Sequence, residues 1–363
     1  MAANPVLVEV WRGPAVESSH RGSVAVVDGD GKVLVALGDI ERPVYPRSAV
    51  KLLQALPLVE SGAADQLGLG DEELALACAS HAGEGVHTQV AARMLEKAGL
   101  DAAALECGIH WPYNEETQRA LAAQGRRPSE LNNNCSGKHA GFLCLACALH
   151  AGGNLRQYAK GYVAREHPVM RAVTAALQAA TGFDLATAPQ GTDGCSIPTF
   201  AIPLRHLALG FARVATGQGL RTGHARAAHR LRAAIARYPY LVAGQNRFDT
   251  VVMQRLGERV CCKVGAEGMY CAALPDRGLG VAIKMDDGNN ARAAEVAMAA
   301  TLEALVALGD DEAAFLHGFS EVTLRNWNRI DVGGLCATGA LRRALAPIAS
   351  PLPAHRHPLP GTA

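Results

Sequence analysis

Short β-branched segments at both ends of a chain that is helical in its middle constrain the fold more than any other feature. Strand-like segments are Val6 to Trp11, Ser23 to Val27, Val33 to Leu37, Arg259 to Val264, Met269 to Leu274 and Leu279 to Met285. Between them, caps and apolar spacing predict helices that begin near Ser48, Asp71, Val86, Glu115, Ser136, Leu155, Val169 and Arg221. This order predicts an α+β fold with one antiparallel sheet built from both termini.

The same pattern predicts the domain organisation. We expect residues 1–349 to form a single two-lobed domain, with the sheet from about 5–40 and 258–286 and a helical lobe over about 48–240. A catalytic cleft is expected between the lobes. A hairpin turn is predicted at Asp28–Lys32, and an Ala-rich helix from about Asn290 to Leu308. The Pro-rich tail, residues 350–363, is predicted to be disordered.

Composition narrows the class of partner. Lys and Arg number 35 and Asp and Glu 34, a net charge of +1, so nucleic acid is not an expected partner. No apolar run reaches the roughly 18 residues of a membrane span. The N-terminus has no basic start followed by an apolar stretch, so we expect a cytoplasmic protein. The ten cysteines are therefore expected to be mostly small core residues rather than a disulfide framework.

The sharpest chemical signal is the Ser-x-x-Lys pair formed by Ser48 and Lys51. Residues three apart on a helix share a face, so the lysine amine lies near the serine hydroxyl. A serine becomes a nucleophile when a base takes its proton, and a lysine is such a base when burial lowers its pKa. A serine N-cap followed by a surface lysine remains the alternative for this pair alone.

Two further segments carry weaker signals. Ser80, in CASHAGEG, stands where a helix runs into a Gly-rich turn, which is also an ordinary helix C-terminus. Lys263, in CCKVGAEG, lies near the end of an apolar strand, two residues before Gly265. A strand-end lysine that faces a cleft and is followed by glycine allows backbone N–H groups to contact a substrate. For the second segment alone, a plain hairpin turn through Gly265 to Gly268, with Lys263 at its edge, is the favoured interpretation.

Two polar clusters complete the pattern. LNNNCSGKHAGF contains Cys135, Lys138 and His139, and PQGTDGCSIP presents Asp193 and Cys195 on a Gly-punctuated loop. The two cysteines together suit a soft metal such as zinc. Unrelated core cysteines remain the alternative.

Together these segments resemble the L-asparaginase II family of the Rhizobium type. The resemblance runs from VEVWRG near the N-terminus to RNWNRIDVG, and its specific segments are SAVKLLQ, CASHAGE, NNNCSGKHAGF, GTDGCSIPTFA and VGAEGMY. It implies a fold like that of serine β-lactamases and glutaminases, hydrolysis of L-asparagine to L-aspartate and ammonia, and a homodimer.

The resemblance also implies roles for particular residues. Ser48 becomes the nucleophile beside Lys51, and Ser80 and Lys263 become a second Ser–Lys pair facing the first. A zinc site is implied at Cys135, Lys138 and Cys195. Lys138 binds a metal only when it is neutral.

The substrate contacts are expectations from placement. His139 and Asp193 are expected to shape the pocket. Asp193 or Glu267 would meet the substrate α-ammonium, and Arg47 its α-carboxylate. Asp249 lies in a family segment where cysteine also occurs, so no catalytic role is assigned to it.

Rival functions stay open at this level. Glutamine is one methylene longer than asparagine, a difference worth only about 1–3 kcal/mol, so a glutaminase or another Ser-x-x-Lys amidohydrolase is not excluded. A β-lactamase or D,D-peptidase is less favoured, because no Lys-Thr-Gly segment is present. A non-catalytic protein that binds zinc or another ligand is the alternative from a different class.

Overall fold

The computed structural model describes residues 3–350 and contains mixed helix and antiparallel sheet. The strands, numbered in chain order, are β1 Val6–Arg12, β2 Ala15–Asp28, β3 Val33–Leu37, β4 Pro43–Val44, β5 Gln190–Thr192, β6 Pro198–Phe200, β7 Ile202–Pro203, β8 Cys261–Val264, β9 Met269–Leu274, β10 Leu279–Met285, β11 Glu321–Arg325 and β12 Asp331–Ala337. The α-helices are α1 Lys51–Gln54, α2 Leu56–Glu60, α3 Ala63–Gln66, α4 Asp71–Ala77, α5 Gly85–Lys97, α6 Glu115–Ala123, α7 Ser136–Leu149, α8 Leu155–Ala159, α9 Pro168–Thr181, α10 Leu204–Thr216, α11 Thr222–Arg237, α12 Pro239–Ala243, α13 Phe248–Leu256, α14 Glu295–Leu305, α15 Asp310–Ser320 and α16 Gly339–Leu345.

The main sheet has eight strands in the order β11-β12-β1-β2-β10-β9-β8, with β3 also paired to β2. Its pairs are antiparallel, as the sequence predicts. The long strand β2 joins its two parts, because its first half pairs with β1 and its second half with β10 and β3. Asp28 closes the predicted β2–β3 turn by accepting a hydrogen bond from the Lys32 N–H at 2.9 Å.

The prediction that the sheet comes from about 5–40 and 258–286 is incomplete. The hairpin of β11 and β12 adds residues 321–337, and β12 pairs with β1 in the register Val10↔Leu335. Gly333 and Gly334 stand inside β12, and glycine is depleted in strands, which hides this strand in the sequence. The glycine is needed, because a Cβ at Gly333 would lie 1.8 Å from the Trp11 carbonyl oxygen.

Seven of the eight predicted helix starts lie within one residue of the start of an α-helix, and the start predicted near Ser48 lies within one residue of a 3-10 turn, Arg47–Val50, that leads into α1. The sequence does not predict α2, α3, α10, α12, α13, α15 and α16. The predicted Ala-rich helix is different in detail. It opens as a π-turn over Asn290–Ala294, continues as α14 and ends at Leu305 rather than at Leu308. Within residues 3–350, no helix is both long and apolar enough to cross a membrane.

The sheet is covered on both faces where β9 and β10 run, since all of β9 and nearly all of β10 are buried. The helix α10 packs directly on β10, and Gly280 permits this contact. The tail predicted to be disordered lies outside the described residues apart from Ser350, whose N–H donates to the Ala304 carbonyl at 2.8 Å.

Candidate active site

The segment that carries Ser48 begins as one turn of 3-10 helix, Arg47–Val50, and continues into α1. Side chains three apart eclipse one another in a 3-10 turn, which places Ser48 and Lys51 on one face. Arg47 adopts a φ of +51°, in the left-handed region that is strained for a residue with a side chain. Ser48 is half-buried, whereas Lys51 is completely buried. The hydroxyl is thus reachable and the amine is shielded from water.

The Lys51 amine makes three contacts, and Ser48 is not among them. Its Nζ donates to the Ala79 carbonyl at 2.5 Å, to Ser80 Oγ at 2.9 Å and to Cys135 Sγ at 3.2 Å. Burial is the largest influence on Lys51 and lowers its pKa. The structure therefore joins Lys51 to Ser80, where the sequence paired Ser80 with Lys263.

Lys263 approaches the site from the edge strand β8. It is buried, its Nζ donates to the Val264 carbonyl at 2.8 Å, and it faces the carboxylate of Asp249 at 3.7 Å. Burial lowers the pKa of Lys263 to about 8, although Asp249 acts in the opposite direction. The predicted hairpin after β8 is confirmed, and its Gly265 packs against the Ser48 turn, because a Cβ there would lie 2.5 Å from the Pro46 carbonyl oxygen.

The three residues expected to hold zinc are brought together. Cys135 is the N-cap of α7, Lys138 lies in its first turn, and Cys195 comes from the β5–β6 loop with its Sγ 3.0 Å from Lys138 Nζ. A hydrogen bond from Cys195, together with Lys51 and Lys138, lowers the pKa of the Cys135 thiol. Burial disfavours the charged amine of Lys138, but the sulfurs of Cys195 and Cys135 outweigh it and raise its pKa.

The donor atoms of Cys135, Lys138 and Cys195 fit a soft metal. Two thiols and one amine converge on a buried point, and thiolate sulfur is a preferred ligand of zinc. No group of three His, Cys, Asp or Glu side chains suited to a metal exists among residues 3–350.

His139 is held in one protonation state. It is completely buried, and its Nδ1 lies 2.5 Å from the hydroxyl of Tyr162, which itself accepts a hydrogen bond from the Glu106 N–H. The hydrogen bond between Nδ1 and the Tyr162 hydroxyl fixes the orientation of the ring, and its direction depends on the imidazole tautomer. Burial and the nearby lysine amines lower the pKa of His139 well below its usual value.

Arg47 and Asp193, expected at opposite ends of the substrate, contact each other. Arg47 Nε donates to Asp193 Oδ1 at 2.7 Å, and both side chains are partly buried. Burial alone would raise the pKa of Asp193, but Lys138 and Arg47 lower it. Glu267, the other acid considered for the α-ammonium, is exposed in the β8–β9 turn at a φ of +60°.

Asp249 and Tyr270 are the residues that the sequence did not assign to this site. Asp249 is 1% exposed and accepts hydrogen bonds from the Val264 N–H at 3.1 Å and from the Tyr270 hydroxyl. An acid within the apolar segment FDTVVM was the available signal, since a carboxylate is seldom buried without a partner. The partner lies 14 residues further along the chain, at Lys263, and sequence spacing does not show it.

The sequence pattern of the L-asparaginase II family matches residues 8–337. The chain belongs to the L-asparaginase II family. The family is named for an amidohydrolase, and the match includes every residue of the site described above.

Curated proteins and solved structures tell us little beyond the membership of the L-asparaginase II family. No curated protein matches the chain. Solved structures of Mglu, of Mglu in its tris and glutamate form and of Mglu in its native form match at 17%, 17% and 16% identity, each with a TM-score of 0.33. These matches cover 76%, 80% and 80% of this chain but only 64%, 61% and 66% of the Mglu chains. The chain thus spans less than two thirds of these proteins, and a TM-score this low supports no conclusion about its substrate.

Proposed function

We propose that this member of the L-asparaginase II family hydrolyses L-asparagine to L-aspartate and ammonia through a serine-linked acyl-enzyme. The observation that carries the proposal is the completely buried Lys51 amine, 2.9 Å from Ser80 Oγ and one helical turn from Ser48. A buried amine loses its proton more readily than an exposed one and can then act as a general base. The half-buried hydroxyl of Ser48, one helical turn away, is the nucleophile that this base would activate.

In the proposed reaction, Ser48 attacks the side-chain amide carbon and Lys51 takes up the hydroxyl proton. Backbone N–H groups, including that of Ser48, stabilise the oxyanion. The departing ammonia receives a proton from Lys51 or Lys263, and water then hydrolyses the β-aspartyl ester. Strain at Arg47 supports the nucleophile role of Ser48, because strained backbone tends to accumulate at functional residues.

Ser80 is the second candidate for the nucleophile. It is half-buried, and it is the serine whose hydroxyl contacts Lys51 directly. If Ser80 attacks the amide, Ser48 is left to bind the substrate. The two assignments share the same base and differ only in which oxygen forms the ester.

The ion pair between Arg47 and Asp193 supports an amino acid as substrate. An amino acid is a zwitterion, and this pair presents one positive and one negative group side by side. In the proposal, Arg47 binds the α-carboxylate and Asp193 the α-ammonium. The same arrangement would serve L-glutamine, so selectivity between the two amides is a matter for measurement.

We also propose zinc at Cys135, Lys138 and Cys195, since their donor atoms suit it. Bound there, zinc would supply a positive charge that polarises a substrate oxygen or fixes the neighbouring segments. Lys138 must lose a proton to bind the metal, so occupancy should increase with pH. The finer fold assignment, to the type found in serine β-lactamases and glutaminases, and a homodimer are proposed on family membership.

The test is ammonia release from L-asparagine and L-glutamine by zinc-replete wild type, Ser48→Ala and Ser80→Ala. If Ser48 is the nucleophile, its removal should lower kcat by at least about 10³-fold. Ser80→Ala should then retain measurable turnover and accumulate the same Ser48-linked ester, detectable by mass spectrometry of the quenched enzyme.

Three outcomes would change the proposal. An ester on Ser80 would exchange the roles of the two serines. Turnover that survives both substitutions would point to water activated at Cys135 and Cys195. Zinc binding without hydrolysis of either amide would favour a non-catalytic binding protein.

A further inference from the structure

Behind Lys263 lies a buried carboxylate that the reaction above does not use. Asp249 stands in the first turn of α13, with one oxygen 3.7 Å from Lys263 Nζ. The same oxygen, Oδ2, accepts the Val264 N–H at 3.1 Å, and Oδ1 accepts the hydroxyl of Tyr270, itself completely buried. Both oxygens are therefore held, and the carboxylate cannot turn away from the lysine.

The lysine is held from a second direction. Lys263 Nζ also donates to the carbonyl of Val264, so its amine is fixed between that carbonyl and the Asp249 carboxylate. A buried side chain with two such partners keeps one orientation. For a group that has to exchange protons with a substrate, this orientation determines whether the amine reaches the reacting atoms.

Other ionisable groups face this pair from several elements. Toward Lys263 these are Asp249 in α13, Arg247 just before it, Lys51 on α1, Cys135 at the start of α7, Cys78 after α4, Cys261 and Cys262 on β8 and Cys271 on β9. Burial raises the pKa of the Cys78 and Cys271 thiols, so both are uncharged. Among these groups Lys51 and Arg247 oppose a charge on Lys263, while Asp249 is the acid that favours it most.

We propose that Asp249 is a positioning residue of this site, which holds the Lys263 amine toward the Ser48–Ser80 region and pairs with its positive charge. The effect of Asp249 on turnover rests on the hydrolytic function proposed above. The effect of Asp249 on Lys263 does not rest on it, because the ion pair exists whatever reaction the protein catalyses.

The hairpin that carries Lys263 does not depend on Asp249 alone for its position. Asn290 Nδ2 donates to the Gly265 carbonyl at 2.7 Å, and Asn290 Oδ1 accepts the Gly268 N–H at 3.1 Å. These bonds anchor the β8–β9 turn independently. Asp249→Asn should therefore fold, since it preserves the shape of the side chain. Its remaining oxygen can still accept the Val264 N–H, and its new N–H can donate to the Tyr270 hydroxyl oxygen.

The direct experiment is an NMR titration of the protein labelled at lysine Cε, which has seven lysines to resolve. Lys263→Arg assigns the signal. In the wild type the Lys263 signal should titrate near its pKa of about 8. An opposite charge at this range shifts a pKa by about one to three units, so Asp249→Asn should lower the midpoint by about one unit or more. An unchanged or higher midpoint would overturn the proposal.

Two variants serve as controls. Glu295 is a second mostly buried acid near Asp249, and burial raises its pKa to about 7, but it makes no contact with Lys263. Glu295→Gln should leave the Lys263 midpoint in place. Asp249→Glu keeps the charge and should restore a midpoint near the wild-type value. If the Lys263 midpoint moves in Glu295→Gln and not in Asp249→Asn, then Glu295 rather than Asp249 acts on Lys263, and the proposal is refuted.

Kinetics separate this proposal from the proposed function. If L-asparagine is hydrolysed with Lys263 as the proton donor to ammonia, the alkaline limb of kcat/KM should follow the NMR midpoint, because Lys263 must be protonated. That limb should move to lower pH in Asp249→Asn, while kcat falls about tenfold from lost positioning. A purely structural role would lower activity at every pH without moving the limb. If no amide is hydrolysed, the proposed function fails, and the NMR titration still decides the role of Asp249.

Discussion

Three buried lysines in one site differ in their proton affinity, and the difference lies in their partners. Lys51 and Lys263 have lowered pKa values because burial outweighs the favourable charges near them. Lys138 has a raised pKa because the sulfurs of Cys195 and Cys135 outweigh the same burial. The sequence predicts three lysines near two serines, but the charge on each amine is a property of its surroundings.

Removing the charge of Asp193 tests the substrate contact. Asp193→Asn should raise the KM for L-asparagine about tenfold or more, because a hydrogen bond to a charged group contributes about 1.5–3 kcal/mol. Its effect on kcat should be smaller, since the side chain is proposed to bind the α-ammonium and not the reacting amide. Steady-state kinetics give both constants, and zinc content should be measured alongside because Cys195 is two residues away. A fall in kcat with KM unchanged would contradict this role.

At the scale of elements, the site depends on a close contact between the β8–β9 hairpin and the turn that carries Ser48. Gly265 makes the contact possible, because its missing side chain leaves room for the Pro46 carbonyl and for Met269. The sequence allows two interpretations of this segment, a plain hairpin and a strand end that faces the substrate. The structure shows an ordinary hairpin whose position beside the Ser48 turn brings it to the candidate active site.

Gly265→Ala should therefore disturb stability and activity together. The new Cβ would lie 2.5 Å from the Pro46 carbonyl oxygen and 2.9 Å from Met269 Cβ, which are not mobile side-chain ends. Overpacking of this kind costs about 1–3 kcal/mol, measurable by urea unfolding. Gly318→Ala, in α15 with open space around it, is the matched control and should unfold at or above the wild-type urea concentration. If the two variants were equally stable, the turn that carries Ser48 would have moved to make room for the new Cβ at little cost, and the prediction would be wrong.

At the scale of the whole molecule, strands from three separated parts of the chain form one sheet. The central strands β2 and β10 come from opposite ends of the sequence, and α10 packs across them. Gly280 on β10 allows this approach, since a Cβ there would lie 2.0 Å from the Ala208 carbonyl oxygen.

A side chain at Gly280 should weaken the entire fold and not only one site. Gly280→Ala would force α10 away from the sheet, and the free energy of unfolding should fall by about 3 kcal/mol or more, beyond the usual cost of overpacking. Thermal unfolding and hydrogen exchange would show the loss across β2, β9 and β10. Protection that falls only in α10 would mean that helix and sheet are less coupled than their contact indicates.

Periodicity, caps and segments such as SAVKLLQ are local properties, and from them the sequence predicts the α+β class, part of the helices and most of the candidate site residues, but not Asp249 and Tyr270. Four features are visible only in the folded chain: β12 joins the sheet, Lys51 contacts Ser80, Arg47 pairs with Asp193, and Asp249 stands behind Lys263. These contacts join side chains and strands far apart in the chain, and burial gives them their strength, so neither the partner nor its protonation state is encoded in any single segment.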